Sequence, residues 1–180
     1  FTYWFDRKNG ISLEYGYTKG DFDIQSDMTA HMGRGRYTNR FSPRSSVFVE
    51  HTYTKRTFDL DVLDYEINEP SIGLTYAFSP GLISSVQVGY YWMDPEYGKK
   101  EDGLTYKGSL TTIDKEARTT IYLSFQGGYT EDYFTAGNAG FTKYHRLTGS
   151  LTYQPSKRSS VGCFGDVERA DYTATNRTDD

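Results

Sequence analysis

The stretch Pro70-Ser71-Ile72-Gly73-Leu74-Thr75-Tyr76-Ala77-Phe78-Ser79-Pro80 decides how this chain reads. Ile72, Leu74, Tyr76 and Phe78 alternate with Ser71, Gly73, Thr75 and Ala77. A period of two is the signature of a strand with one apolar face. Ser79-Pro80-Gly81 then supplies turn chemistry, because proline fixes φ and glycine tolerates tight geometry. Beyond it Val86, Val88, Tyr90 and Trp92 alternate with Ser85, Gln87, Gly89 and Tyr91. The segment is therefore a β-hairpin.

The same pattern extends in both directions. Ile11, Leu13, Tyr15 and Tyr17 alternate with Ser12, Glu14, Gly16 and Thr18; Ile121, Leu123 and Phe125 with Tyr122, Ser124 and Gln126; Leu147, Leu151 and Tyr153 with Thr148, Ser150 and Thr152. Short turn signals recur at Arg7-Lys8-Asn9-Gly10, Ser42-Pro43-Arg44, Asp114-Lys115-Glu116 and Pro155-Ser156-Lys157-Arg158. Longer polar connections lie near 19–27, 55–66, 94–102 and 131–139, so short and long links alternate. Strands reopen at Ile11, Val47, Val86, Ile121 and Val161, three of them as Ser-Ser-Val, which makes the hairpin an internal repeat. Ten strands follow, near 1–6, 10–19, 28–41, 46–56, 67–78, 83–93, 103–113, 118–130, 140–153 and 159–173.

Composition narrows the class. The 180 residues include 17 Tyr and 11 Phe but only 2 Trp, and Tyr suits boundaries between oil and water. The mean hydropathy of −0.69 and the lack of a long apolar run exclude a spanning helix. They leave open a membrane barrel, in which only alternate residues meet lipid. The net charge of −4 is spread along the chain, with no basic block to hold nucleic acid. One cysteine, Cys163, rules out an internal disulfide framework.

Aromatics gather at strand ends. Phe41, Phe78 and Tyr153 precede short turns, and Tyr17, Tyr53, Tyr90, Trp92 and Tyr129 lie toward the other end. Two such rows with aliphatics between them match the interface girdles of an outer-membrane barrel. The expected fold is all-β: an antiparallel up-and-down transmembrane barrel, a single domain over residues 1–180. The clipped first strand and the loop-like Ala174–Asp180 read as an excerpt of a larger barrel, with a closed ten-stranded barrel as the alternative, since an even number of strands can close. A soluble sandwich or lipocalin-like barrel shares the alternation and is the competing fold.

Arg40-Phe41-Ser42-Pro43-Arg44-Ser45-Ser46-Val47, Pro70–Pro80, Glu131-Asp132-Tyr133-Phe134-Thr135 and Gly140-Phe141-Thr142-Lys143-Tyr144 carry a family likeness. Together they resemble the outer-membrane barrels of exopolysaccharide-biosynthesis and exosortase gene clusters, akin to porin families. The resemblance implies a Gram-negative outer membrane, lipopolysaccharide and other lipids as neighbours, and periplasmic export components or polysaccharide as partners. Its motifs are turn and strand consensus and imply no catalysis.

Strand parity turns Arg34, Arg36, Arg40, Lys107 and Arg146 away from the apolar face. In a barrel they face the lumen, where guanidinium donors select anions. The plainer alternative pairs them across the barrel with Glu14, Glu50, Asp166 and Glu168. His31, His51 and His145 match no hydrolase motif, and a triad is established by geometry. Asp59-x-Asp61-x-x-Asp64 lacks the glycine and terminal glutamate of a calcium loop and reads as solvated acids. Gly33, Gly35 and Gly127-Gly128 sit within strands, with no following helix, where glycine allows bulges or bends. No residue is expected to act catalytically, to ligate metal or to hold a cofactor. The expected role is a passive conduit for exopolysaccharide or other anionic solutes. An adhesion barrel, a sheath for a periplasmic electron carrier and a soluble all-β binding domain are the alternatives.

Overall fold

A computed structural model describes residues 1–21, 27–59, 64–96, 100–112, 118–132, 140–156 and 158–172. The strands are β1 (Thr2–Trp4), β2 (Asn9–Gly20), β3 (Met28–Asn39), β4 (Ser45–Phe58) and β5 (Tyr65–Ser79), followed by β6 (Leu82–Pro95), β7 (Glu101–Thr112), β8 (Thr119–Asp132), β9 (Gly140–Ser156) and β10 (Ser159–Tyr172). They form one up-and-down antiparallel sheet in the order β1 to β10, and the order is open. Two compact units divide it: Phe1–Ala77 with Ser85–Leu104, and Phe78–Ser84 with Thr105–Asp180.

Strand number and order follow the alternation, and the bounds move in a consistent way. β4, β5 and β6 run further toward the longer connections than the alternation indicates, to Phe58, from Tyr65 and to Pro95. Hydrogen-bonded pairing continues there after apolar patterning stops: Lys55 pairs with Glu66 and Arg56 with Tyr65. The two kinds of connection therefore differ less in length than expected. The link at 96–100 is shorter than the one at 113–118. β1 contracts to Thr2–Trp4, and Phe41 lies beyond the end of β3.

The described short turns share one device. Ser42 Oγ accepts from Arg44 N at 3.1 Å, Ser79 Oγ from Gly81 N at 3.3 Å, and Ser156 Oγ from Arg158 N at 3.3 Å. Asp6 does the same for Lys8 N at 2.6 Å and adds Asn9 N at 2.8 Å. A short polar side chain thus satisfies the amide two residues on and sets the turn. Bonds from Asn9 and the Lys8 and Asn9 amides hold the Asp6 carboxyl below its ordinary value. Asp114-Lys115-Glu116 and Lys157 lie outside the described residues.

Pairing runs in register through Gly33 and Gly35 with both neighbouring strands, and through Gly127 and Gly128 with β9. Gly128 has a φ of +152°, a local kink that glycine permits. Several other glycines seat aromatic rings from the facing strand. A Cβ on Gly73 would lie 2.2 Å from the Phe48 ring, and one on Gly108 would lie 2.1 Å from Phe125. Gly127 stands opposite Tyr106 in the same way.

Candidate functional site: the polar face

In the first unit, register puts Glu14, Arg34, Arg36, Glu50, Thr52, Glu69 and Ser71 on one face. Arg36 Nε donates to Glu50 Oε2 at 2.7 Å, and Gln87 Nε2 reaches Glu50 Oε1 at 3.1 Å and Ser71 Oγ at 2.8 Å. This network spans β3, β4, β5 and β6. Arg36 also lies over the Phe48 ring, 4.1 Å from its centroid. Arg34 donates to Glu14 at 2.9 Å. Arg40 is outside the strand, with its guanidinium 3.8 Å from the Trp4 ring centroid.

In the second unit the same face carries Lys107, Ser124, Gln126, Arg146, Thr148, Asp166 and Glu168. Arg146 pairs with Glu168, and Thr148 Oγ1 donates to Asp166 at 2.5 Å. Lys107 is exposed and makes no ion pair among the described residues. The ion-paired arginines therefore meet acids on the adjacent strand, not across a lumen. Guanidinium and carboxylate alternate laterally, and the face is close to neutral.

The opposite face is apolar and open. Glu50 and Ser71 are each 7% exposed, whereas their chain neighbours Val49 and Ile72 are 56% and 55% exposed. Leu74, Val86, Val88, Leu123, Leu147, Leu151 and Val161 are exposed on this face as well. Of the girdle residues, Tyr17, Phe78, Tyr90, Trp92 and Tyr153 are exposed on it, and Tyr53 and Tyr129 are half-buried. Phe41 is exposed in the β3–β4 connection.

The polar face is not polar throughout, which corrects the sequence reading. Met28, Ala30, Phe58, Tyr65, Ile67, Tyr91 and Met93 are buried on it, near the longer connections of the first unit. Met28 faces Phe58 in register, and the Phe58 and Tyr65 rings meet tilted at 39° with centroids 6.2 Å apart. Burial of these side chains ties the strand ends together, Met28, Phe58, Ile67 and Met93 each contributing about 1.5–3 kcal/mol.

No family model, curated protein or solved structure matches this chain.

Among the described residues no group of three or more His, Cys, Asp or Glu is placed to hold a metal. Asp61 lies outside the described residues, and Asp64 accepts from Phe58 N at 2.7 Å as a strand-end cap. No helix of the described chain is long and apolar enough to cross a membrane. His31 and His145 lie on the apolar face, each with a tyrosine hydroxyl on Nδ1 at 2.7 Å, from Tyr15 and Tyr106 respectively. His51 is on the same face, opposite Gly35 and Pro70. No acid stands with these rings in a triad geometry among the hydrogen bonds described.

The Glu50–Gln87–Ser71 network was partly legible, since all three residues share the polar parity. The register that brings them together was not, because it depends on backbone pairing between strands. The Tyr–His pairs were missed for the same reason.

Proposed function

We propose that this chain is an outer-membrane β-barrel, or part of one, acting as a passive conduit. The observation that carries the reading is the inverted burial at Val49-Glu50 and Ser71-Ile72. Charged and hydroxyl side chains are covered while adjacent aliphatics are open. In water each such aliphatic forgoes about 1.5–3 kcal/mol of burial. In a bilayer the cost vanishes, and the polar side becomes the channel wall.

The width of the apolar band supports the same reading. On β9 the apolar face runs Tyr153, Leu151, Gly149, Leu147, His145, Lys143. From Tyr153 to His145 is about 27 Å along the strand at about 3.4 Å per residue. A tilt of about 40° reduces that to about 21 Å, somewhat under the roughly 25 Å of a barrel's lipid-facing band.

The mechanism is size filtering through a hydrated, ion-paired wall, without covalent chemistry. Lateral pairing of Arg34, Arg36 and Arg146 with neighbouring acids leaves a weak sign preference. The cargo reading, exopolysaccharide or other anionic solutes, rests on the family resemblance.

Planar-bilayer recording tests the proposal. The expected result is stepwise conductance with weak selectivity, and Lys107→Glu moves the reversal potential toward cation preference. Folded, inserted protein that passes no current would contradict the conduit.

A further inference from the structure

The last strand in the sheet order carries an uncovered aromatic ring. Phe164 shares the polar face with Asp166 and is 87% exposed. Among the described strands β10 pairs only with β9, where Ser150 stands opposite Phe164. The other edge of β10 offers its backbone donors and acceptors to one more strand.

Elsewhere on the polar face, rings of this kind are seated on glycine. Trp4, Phe48 and Tyr91 lie against Gly10, Gly73 and Gly103, where an added Cβ would crowd or strike the ring. Each glycine belongs to the next strand in the order: β1 to β2, β4 to β5 and β6 to β7. Trp4 with Gly10, and Phe48 with Gly73, are direct register partners. The seats close well, with Phe48 5% and Tyr91 1% exposed. Glycine leaves the facing backbone bare, and the ring covers it.

We propose that the outer edge of β10 receives a further antiparallel strand, which places a glycine directly opposite Phe164. The same strand sets apolar side chains opposite Val161, Cys163 and Val167, all exposed on the apolar face. Opposite Asp166 it carries a hydroxyl or a cation, because that carboxylate accepts from Thr148 and is still exposed. The partner is thus recognised by backbone pairing, and its register by one ring.

A second copy of the chain does not fit this role. Its β1, Thr2–Trp4, has no glycine. Its β10 has Gly162, and Gly162 opposite Phe164 would centre the pair on Cys163. Antiparallel pairing of one strand with its own copy, however, sets the short turns of one copy beside the longer connections of the other. Two chains inserted in the same direction cannot pair so. This exclusion rests on the membrane reading above, whereas the ring-on-glycine rule does not.

The test uses the whole detergent-solubilised chain and synthetic strand peptides of alternating Leu and Thr. Each peptide holds one glycine followed by one cysteine, which in the proposed register stands opposite Cys163. Directly opposite Cα atoms lie about 4.5–5.5 Å apart, within disulfide reach. In a glutathione redox buffer, the equilibrium yield of peptide–Cys163 disulfide reads the pairing. Replacing the peptide glycine by valine is expected to lower that yield about tenfold, the scale of overpacking one side chain. Phe164→Ala, with its far-ultraviolet β signal retained, is expected to make the two peptides equal. Moving the peptide cysteine two residues on, opposite Val161, is expected to lower the yield to that of free cysteine. Equal yields from the glycine and valine peptides with the unaltered chain overturn the proposal. A Cys163–Cys163 dimer that forms in preference to the peptide adduct also overturns it, giving the edge to a second copy. Insertion into phosphatidylcholine vesicles, measured separately, tests the membrane reading: a chain that selects the glycine peptide yet fails to insert keeps the seat and loses that reading.

Discussion

Glu50 concentrates the chemistry of the polar face in one carboxylate. It accepts from Arg36 and Gln87 and is almost fully covered. Removing it leaves a guanidinium and an amide short of an acceptor, so Glu50→Ala is expected to cost about 1–3 kcal/mol. Arg36 keeps partial access to water, which limits the loss. Urea titration of the folded chain measures it, and an unchanged midpoint would contradict the network. Gly108 is a second sensitive residue, because Phe125 occupies the space of its missing Cβ. Gly108→Ala is expected to destabilise by about 1–3 kcal/mol through overpacking, measured the same way.

Asp6 shows how an element is fixed by its turn. Its carboxylate accepts from the Asn9 side-chain amide and from both turn amides, and these bonds depress its pKa. A depressed carboxylate contributes stability above its unfolded value and loses it as pH falls through the folded one. The amide resonances of Lys8 and Asn9 should therefore move together at a midpoint below that of an ordinary aspartate. A midpoint at or above the ordinary value would contradict the turn. At this scale the sequence was highly informative, since the Ser-Pro and Arg-Lys-Asn-Gly signals marked turns that the side-chain bonds hold, although the capping role of Asp6 was not read from it. Strand ends were less legible, because pairing such as Lys55 with Glu66 outlasts the apolar alternation. Glycine roles were illegible, because a ring seat needs the register between Phe48 and Gly73.

At the scale of the sheet, Glu50 and Ser71 of the first unit are covered on one face while Val49 and Ile72 stand open on the other, and in the second unit Asp166 and Glu168 are exposed. Alternation along each strand revealed that there are two faces. It could not reveal that Met28, Ile67 and Tyr91 gather on the polar one, since they share its parity only at strand ends. The central claim is that the apolar face contacts acyl chains and the polar face contacts water. Spin labels at successive positions from Ser85 to Tyr90, placed one at a time in a Cys163→Ser chain in phosphatidylcholine vesicles, test it most directly. The account predicts oxygen accessibility peaking at 86, 88 and 90 and nickel-complex accessibility peaking at 85 and 87. Reversed peaks, or a chain that stays monodisperse in buffer without detergent with Val86 and Val88 shielded from both reagents, would contradict it.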